Sequence, residues 1–177
     1  MPVIYMDRAS IDSLTEKDIR KIIDENTIGT KYKILQDYYI GKHKILDEVK
    51  KDSTAPNNKL VNNMAKYITD TATSYFVGKP VVYNSQDDEF LQIMQDIFDY
   101  NDEQDHNMEL AKQCSICGSC FEMLYMDEDA KVRFAKIPAE AGIMICETDS
   151  GFSAPMAFIR TVISKDRDNL SLIHISE

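Results

Sequence analysis

Apolar residues in the first two-thirds of the chain recur at the three- and four-residue spacing that lines one side of a helix. Ser13-Leu14-Thr15-Glu16 has the form of a capping box, with Ser13 over the first turn and Glu16 reaching back. It predicts a helix to about Glu25 with Ile19, Ile22 and Ile23 on one face. A second helix is predicted over 28–40, carrying Tyr32, Leu35, Tyr38 and Tyr39, with Gly41 as its stop. Residues 42–57 are polar, contain Pro56 and read as a loop. The strongest stripe is Leu60, Met64, Tyr67, Ile68, Thr71, Ala72, Tyr75 and Phe76. It predicts a helix over 58–77 with that stripe buried, capped by Asn57 or Asn58 and ended by Gly78-Lys79-Pro80. Val81, Val82 and Tyr83 read as a short strand. Two more helices are predicted: 87–100 with Phe90, Met94, Ile97 and Phe98 inward, and 102–117 with Leu110, Ala111, Cys114 and Cys117 inward.

After Gly118 the apolar period falls from 3.6 to 2. Segments 120–126 and 131–137 flank Asp127-Glu128-Asp129-Ala130 as a hairpin, and 142–146 and 156–163 add two strands around 148–151. Helices followed by strands give an α+β class: N-terminal helices packed on a C-terminal antiparallel meander. The expected division is 1–57 as a helical arm and loop, 58–164 as the α+β core, and 165–177 as a tail. Residues 171–177 are similar to translated sequencing-adapter readthrough. That predicts a non-native or disordered tail and a native chain that continues past about Asn169.

Composition narrows the class. The 177 residues are 44% apolar and 28% charged, with six Gly and five Pro, which excludes collagen-like and low-complexity chains. The longest apolar run is 141–146, so no membrane-spanning helix and no membrane partner are expected. The first eight residues lack the form of a signal peptide, which predicts a chain that stays in the cytosol with its four Cys as thiols. The formal charge of −10 is localised: residues 87–130 hold thirteen acids and one base, Lys112. Bases and acids balance over 1–52 and again over 131–177, whereas 53–86 holds three bases and one acid. A basic patch able to neutralise phosphates is missing, which argues against sequence-specific DNA binding.

The sharpest chemical pattern is Cys114-Ser115-Ile116-Cys117-Gly118-Ser119-Cys120. Its spacing opens a bacterial iron–sulfur run, but the run's fourth position is Leu124, followed by Tyr125 rather than Pro. A zinc site on Cys114, Cys117 and Cys120 would need Cys146 or His106 as fourth ligand. The bland reading places Cys114 and Cys117 as small apolar groups on a buried helix face. His43, His106 and His174 share no spacing, and Gly78-Lys79-Pro80 lacks the other residues of a phosphate loop. No catalytic, cofactor-binding or metal residue is therefore assigned, and the metal-binding module on Cys114/Cys117/Cys120 stands as the alternative.

Three stretches together resemble one family. They are Tyr38-Tyr39-Ile40-Gly41-Lys42-His43-Lys44-Ile45; Asn57-Asn58-Lys59-Leu60-Val61-Asn62-Asn63-Met64, running on through Thr71-Ala72-Thr73-Ser74-Tyr75-Phe76-Val77-Gly78-Lys79-Pro80-Val81; and Ile116-Cys117-Gly118-Ser119-Cys120-Phe121-Glu122-Met123-Leu124-Tyr125. The chain is similar in these to the portal proteins of tailed bacteriophages, SPP1 Gp6-like. The resemblance implies the outer, wing-like part of a structural subunit that forms a ring of about a dozen copies. It implies a virion location at a capsid vertex, with assembly in the host bacterial cytoplasm. The implied partners are other copies of the chain, the terminase large subunit, capsid and scaffold proteins, head-completion or adaptor proteins, and double-stranded DNA passing without sequence specificity. It implies no active site and no cofactor, so the chain is expected not to be an enzyme.

Overall fold

The computed structural model describes residues 3–26, 28–49, 56–148, 155–163 and 171–176, the last through backbone pairing. Strand β1 (Val3–Met6) leads into helix α1 (Arg8–Asp12), capped by Asp7, whose carboxylate accepts from the Ser10 N–H at 2.9 Å. Helix α2 (Glu16–Glu25) starts on Thr15, not Ser13. The Asp18 N–H donates to Thr15 Oγ1 at 3.4 Å, and the Thr15 N–H donates to Asp18 Oδ2 at 3.0 Å. Thr15-x-x-Asp18 forms the same reciprocal box two residues later than expected, because the Ser13 hydroxyl is spent on the Ser10 carbonyl that closes α1. Helix α3 (Ile28–Tyr39) ends as predicted: Gly41 takes a φ of 86° and the Lys42 N–H reaches back to the Asp37 carbonyl.

Helix α4 (Met64–Val77) is shorter than the 58–77 expected. Asn side chains compete for backbone groups, and here Asn63 Oδ1 takes the Lys66 N–H at 3.0 Å and fixes the start. Helix α5 (Asp88–Tyr100) is capped by Asp87, and α6 (Glu103–Cys117) stops at Gly118, whose φ is 76°. Residues 81–83 form no strand. Instead the Tyr83 ring lies 4.6 Å from that of Phe98.

The strands do not form the single meander expected. Strands β2 (Phe121–Met126) and β3 (Val132–Ile137) make a two-stranded antiparallel hairpin of their own. Pro138 and a short 3-10 turn over Ala139–Ala141 then redirect the chain. Proline has no N–H to extend the ladder, and Ala139 is fully buried in the turn, so β3 and β4 never align. Strand β4 (Gly142–Glu147) pairs antiparallel with β5 (Pro155–Ile163) and parallel with β1 on its other edge. Strand β6 (Ser171–Ser176), which falls within the expected tail, pairs antiparallel with β5. The result is α+β, with the four-stranded sheet in the order β1-β4-β5-β6.

The helix that covers the large sheet is α2. Ile19 of α2 packs with Ile143, Ile145 and Ile159 of the large sheet, with Ile4, Met6, Ile11, Leu14, Ile22 and Ile23 around them. The N-terminal helices therefore cover the sheet. Helices α3 and α6 share a second core of Tyr32, Cys117 and Ala139, where the Tyr32 hydroxyl is 3.2 Å from that of Ser119. Helix α4 lies on α6 through Thr69, Thr73 and Val77, its three buried positions.

Helices α3 and α4 are joined by two polar contacts. Tyr39 OH donates to Asp70 Oδ1 at 2.7 Å, and Asn63 Nδ2 donates to the Tyr39 carbonyl at 2.8 Å. Burial, and then the Asp70 carboxylate, push the Tyr39 phenol up to about 12. A phenol with a raised folded-state value stabilises below the unfolded value of about 10, and that contribution is lost as pH climbs toward the folded value. Wild-type stability should therefore fall more steeply between these two limits than that of Tyr39→Phe, measured by denaturant melts along an alkaline series. Equal slopes would remove this contact from the stability of the pair.

Candidate assembly surface

The stripe predicted to be core is the most exposed apolar surface of the molecule's described part. On α4, Tyr75 is 94% exposed, Phe76 80%, Tyr67 65% and Ile68 60%, with Met64 on the same side and Leu60 just before it. At about 100° per residue Met64, Ile68 and Tyr75 lie opposite Thr73 and Val77, which sit against α6, while Tyr67 and Phe76 lie on the two flanks between. Periodicity grouped Met64, Ile68 and Tyr75 correctly. It placed the group on the wrong side, because the contact with α6 is made through two threonines and a valine.

The acidic segment folds into α5, α6 and the hairpin, and bases from just beyond it meet part of its charge. Lys136 Nζ pairs with Glu109 Oε2 at 2.5 Å, holding the Glu109 carboxyl below the usual carboxylate range. His106 Nε2 lies 2.7 Å from Glu122 Oε1. Lys131 and Arg133 both sit over the Tyr100 ring, and the Tyr100 hydroxyl donates to Asp127 at 3.0 Å. Asn101 fastens the hairpin to the end of α5: its Nδ2 donates to the Val132 carbonyl, and its Oδ1 accepts from the Phe134 N–H at 3.0 Å. An open cleft of about 840 Å³ lies between segment 80–83 and the α5–α6 junction. Asp99, Asp102, Glu103 and Asp105 line it, and Glu103 is held there by Tyr83 OH and Asn107 Nδ2. The Glu103 hydrogen bond, then burial, push the Tyr83 phenol up to about 12.

The three clustered cysteines do not converge. Cys114 and Cys120 bring their sulfurs to 3.1 Å, whereas Cys117 is turned into the second core, accepting from Gln113. The αL residue Gly118 swings Cys120 back onto the helix while Cys117 stays on its buried face. Cys146 is buried in β4. Among the described residues, no group of three or more His, Cys, Asp or Glu side chains is placed to hold an ion, so the trio required by the metal-binding alternative is not assembled. His43 stacks on Tyr38, with ring centroids 4.9 Å apart, and the side chain of His174 lies outside the described residues. Mild oxidation by diamide should join Cys114 to Cys120, each thiol losing one hydrogen. Burial, then the Cys114 contact, push the Cys120 thiol up to about 12, so joining should speed up as pH rises. Peptide mapping that instead found Cys117 bridged would contradict the geometry.

These features describe a shaped, multi-faced body with a large uncovered apolar stripe. The family model for phage portal proteins, SPP1 Gp6-like, matches residues 19–175. The chain belongs to this portal family. Among curated proteins, none matches it. The portal match begins at Ile19, within α2, and runs through the later helices and into β6. Portal membership assigns the chain a general structural role.

Proposed function

We propose that the chain is a structural subunit of a portal ring at a phage capsid vertex, the passage through which double-stranded DNA is packaged by terminase and later ejected. It does no chemistry of its own, and it is assembled in the host bacterial cytoplasm. Its partners are other copies of itself, the terminase large subunit, capsid and scaffold proteins, and the head-completion or adaptor proteins that close the vertex. The observation that carries this reading is the portal family match over residues 19–175. Two features support it. The uncovered aromatic stripe of α4 is surface of the type that subunit interfaces bury. The excess of carboxylates over 87–130 repels phosphate, as suits a body that DNA passes without being held.

Negative-stain electron microscopy with light scattering tests it. The expected result is annular particles with a central opening whose mass is a whole multiple of the 20.3 kDa chain. Filter binding of duplex DNA is expected to show no retention at physiological salt. A strictly monomeric chain that retains DNA would overturn the reading.

A further inference from the structure

We propose that Cys114 and Cys120 form a redox clasp: an open dithiol while the chain is made and assembled in a reducing cytoplasm, and a disulfide once it leaves the cell. The timing rests on the function proposed above, whereas the chemistry rests on the geometry of the pair.

These two cysteines are set apart from the others. Cys114 stands exposed on the last turn of α6, and Cys120 is half-buried just ahead of β2. Gly118, left-handed with a φ of 76°, turns the chain between them and brings the two sulfurs to 3.1 Å. A disulfide bond is about 2 Å long, so an approach of about 1 Å, within reach of side-chain rotation, closes it. Cys117 and Cys146 are buried in the second core and in β4, away from oxidants in solution.

Exposure divides the roles. Cys114 is open to a small disulfide such as glutathione disulfide. Its thiolate attacks one sulfur of that molecule, forms a mixed disulfide and releases one glutathione thiolate, which takes up the Cys114 proton. Cys120, already in contact, then gives up its proton, attacks the Cys114 sulfur and releases the second glutathione. Two protein thiols are oxidised, and one glutathione disulfide is reduced to two thiols. The second step is the slower one at neutral pH. Burial and then the Cys114 contact push the Cys120 thiol up, Glu122 on β2 adds to this, and Lys136 on β3 pulls the other way. In the cytosol an excess of glutathione runs the exchange backwards and keeps the clasp open. A released particle leaves that reductant behind, and disulfides persist on virion surfaces.

The clasp holds the reversal from α6 into the hairpin. Cys120 directly precedes Phe121, the buried residue whose ring meets Phe158 of the large sheet. Closing it ties the start of β2 to the last turn of α6 and limits local opening of that joint.

The test uses the full 177-residue chain made in the bacterial cytoplasm, with thiols blocked by iodoacetamide at lysis and located by mass spectrometry. Cys114 and Cys120 should both be thiols at that point. After incubation with glutathione disulfide the chain should lose two hydrogens and carry no glutathione, with fragmentation placing the bridge between Cys114 and Cys120. Excess glutathione should restore both thiols. The oxidised chain should melt about 5–10 °C above the reduced one, the scale of a bridge across a short loop. Hydrogen exchange at the first amides of β2 should slow. Cys120→Ser should keep a stable glutathione on Cys114, whereas Cys114→Ser should stay largely unmodified at Cys120. The double variant Cys114→Ser with Cys120→Ser, checked for folding by circular dichroism, should melt at the same temperature with either form of glutathione. A bridge already closed in the cytoplasm, a bridge to Cys117, a lasting adduct on the wild-type chain, or an oxidised form that melts no higher would each overturn the clasp. The ring reading stands or falls separately, on the particles seen by electron microscopy.

Discussion

Replacing Ile145 with Ala is expected to lower the unfolding free energy by about 2–5 kcal/mol, whereas Tyr75→Ala should change it by no more than about 0.5 kcal/mol. Ile145 is fully buried where β4 meets Ile19 of α2, Ile143 and Ile159. Removing most of its side chain leaves a cavity that neighbours on two paired strands cannot fill, since backbone hydrogen bonds hold β4 between β1 and β5. At roughly 2–4 °C per kcal/mol for a chain of this length, the melting temperature should drop by about 10 °C. Tyr75 is the larger side chain, but at 94% exposure it leaves little behind. The measurement is thermal or urea unfolding of dilute, unassociated chain. A large loss on Tyr75→Ala would mean that the α4 stripe is covered within one copy, and would remove the basis for reading it as an assembly face.

That contrast also marks what was legible in the sequence. Local signals were read well: Gly41 and Gly118 adopt the left-handed conformations that end α3 and α6. The helices after residue 87 and the hairpin around 127–130 fall where the patterns put them. Each of these depends on a few neighbouring residues. What failed depends on partners far along the chain. Val3–Met6 is too short to announce itself, yet it pairs in parallel with β4 and so decides which helices cover the sheet. The 3.6-residue period shows that Met64, Ile68 and Tyr75 share a face of α4, but it contains nothing about what lies opposite. Thr69 and Thr73, weak signals in a hydrophobic pattern, turn out to face α6; the Ser115 hydroxyl reaches toward that of Thr69 at 3.4 Å.

The same limit applied to the candidate chemistry. Cys114, Cys117 and Cys120 look like one set when written in a line. On a helix that ends at Cys117 they cannot be one, because the chain reverses at Gly118 and returns Cys120 to Cys114 alone. The acidic run 87–130 was legible as charge, but its partial compensation was not. Lys131, Arg133 and Lys136 sit just past the run in sequence, and the hairpin folds them back over Tyr100 and Glu109.

Gly142→Ala should destabilise the fold by about 1–3 kcal/mol, the range of an overpacked core, although alanine adds a single carbon. The glycine is there for space. Its φ of −124° is ordinary extended backbone, so any residue could adopt it. A Cβ at this position, however, would lie 2.6 Å from Phe121 Cδ2 and 2.7 Å from Phe158 Cζ. These two rings meet edge to face with centroids 4.9 Å apart, Phe121 from the hairpin and Phe158 from the large sheet. They form the wedge by which the β2–β3 hairpin rests on β4 and β5. The rings cannot both withdraw: Phe121 is largely buried, and each is anchored on a paired strand. Trimming one ring should make room, so Phe121→Leu should cost less in the Gly142→Ala background than in wild type. A double-mutant cycle is expected to show a favourable coupling of about 0.5–3 kcal/mol. If alanine were tolerated outright, or if the two losses simply added, the wedge would not be what joins the two sheets. The hairpin would then owe its position to Asn101 at the end of α5 and to the pairs that Lys136 and Glu122 make with α6.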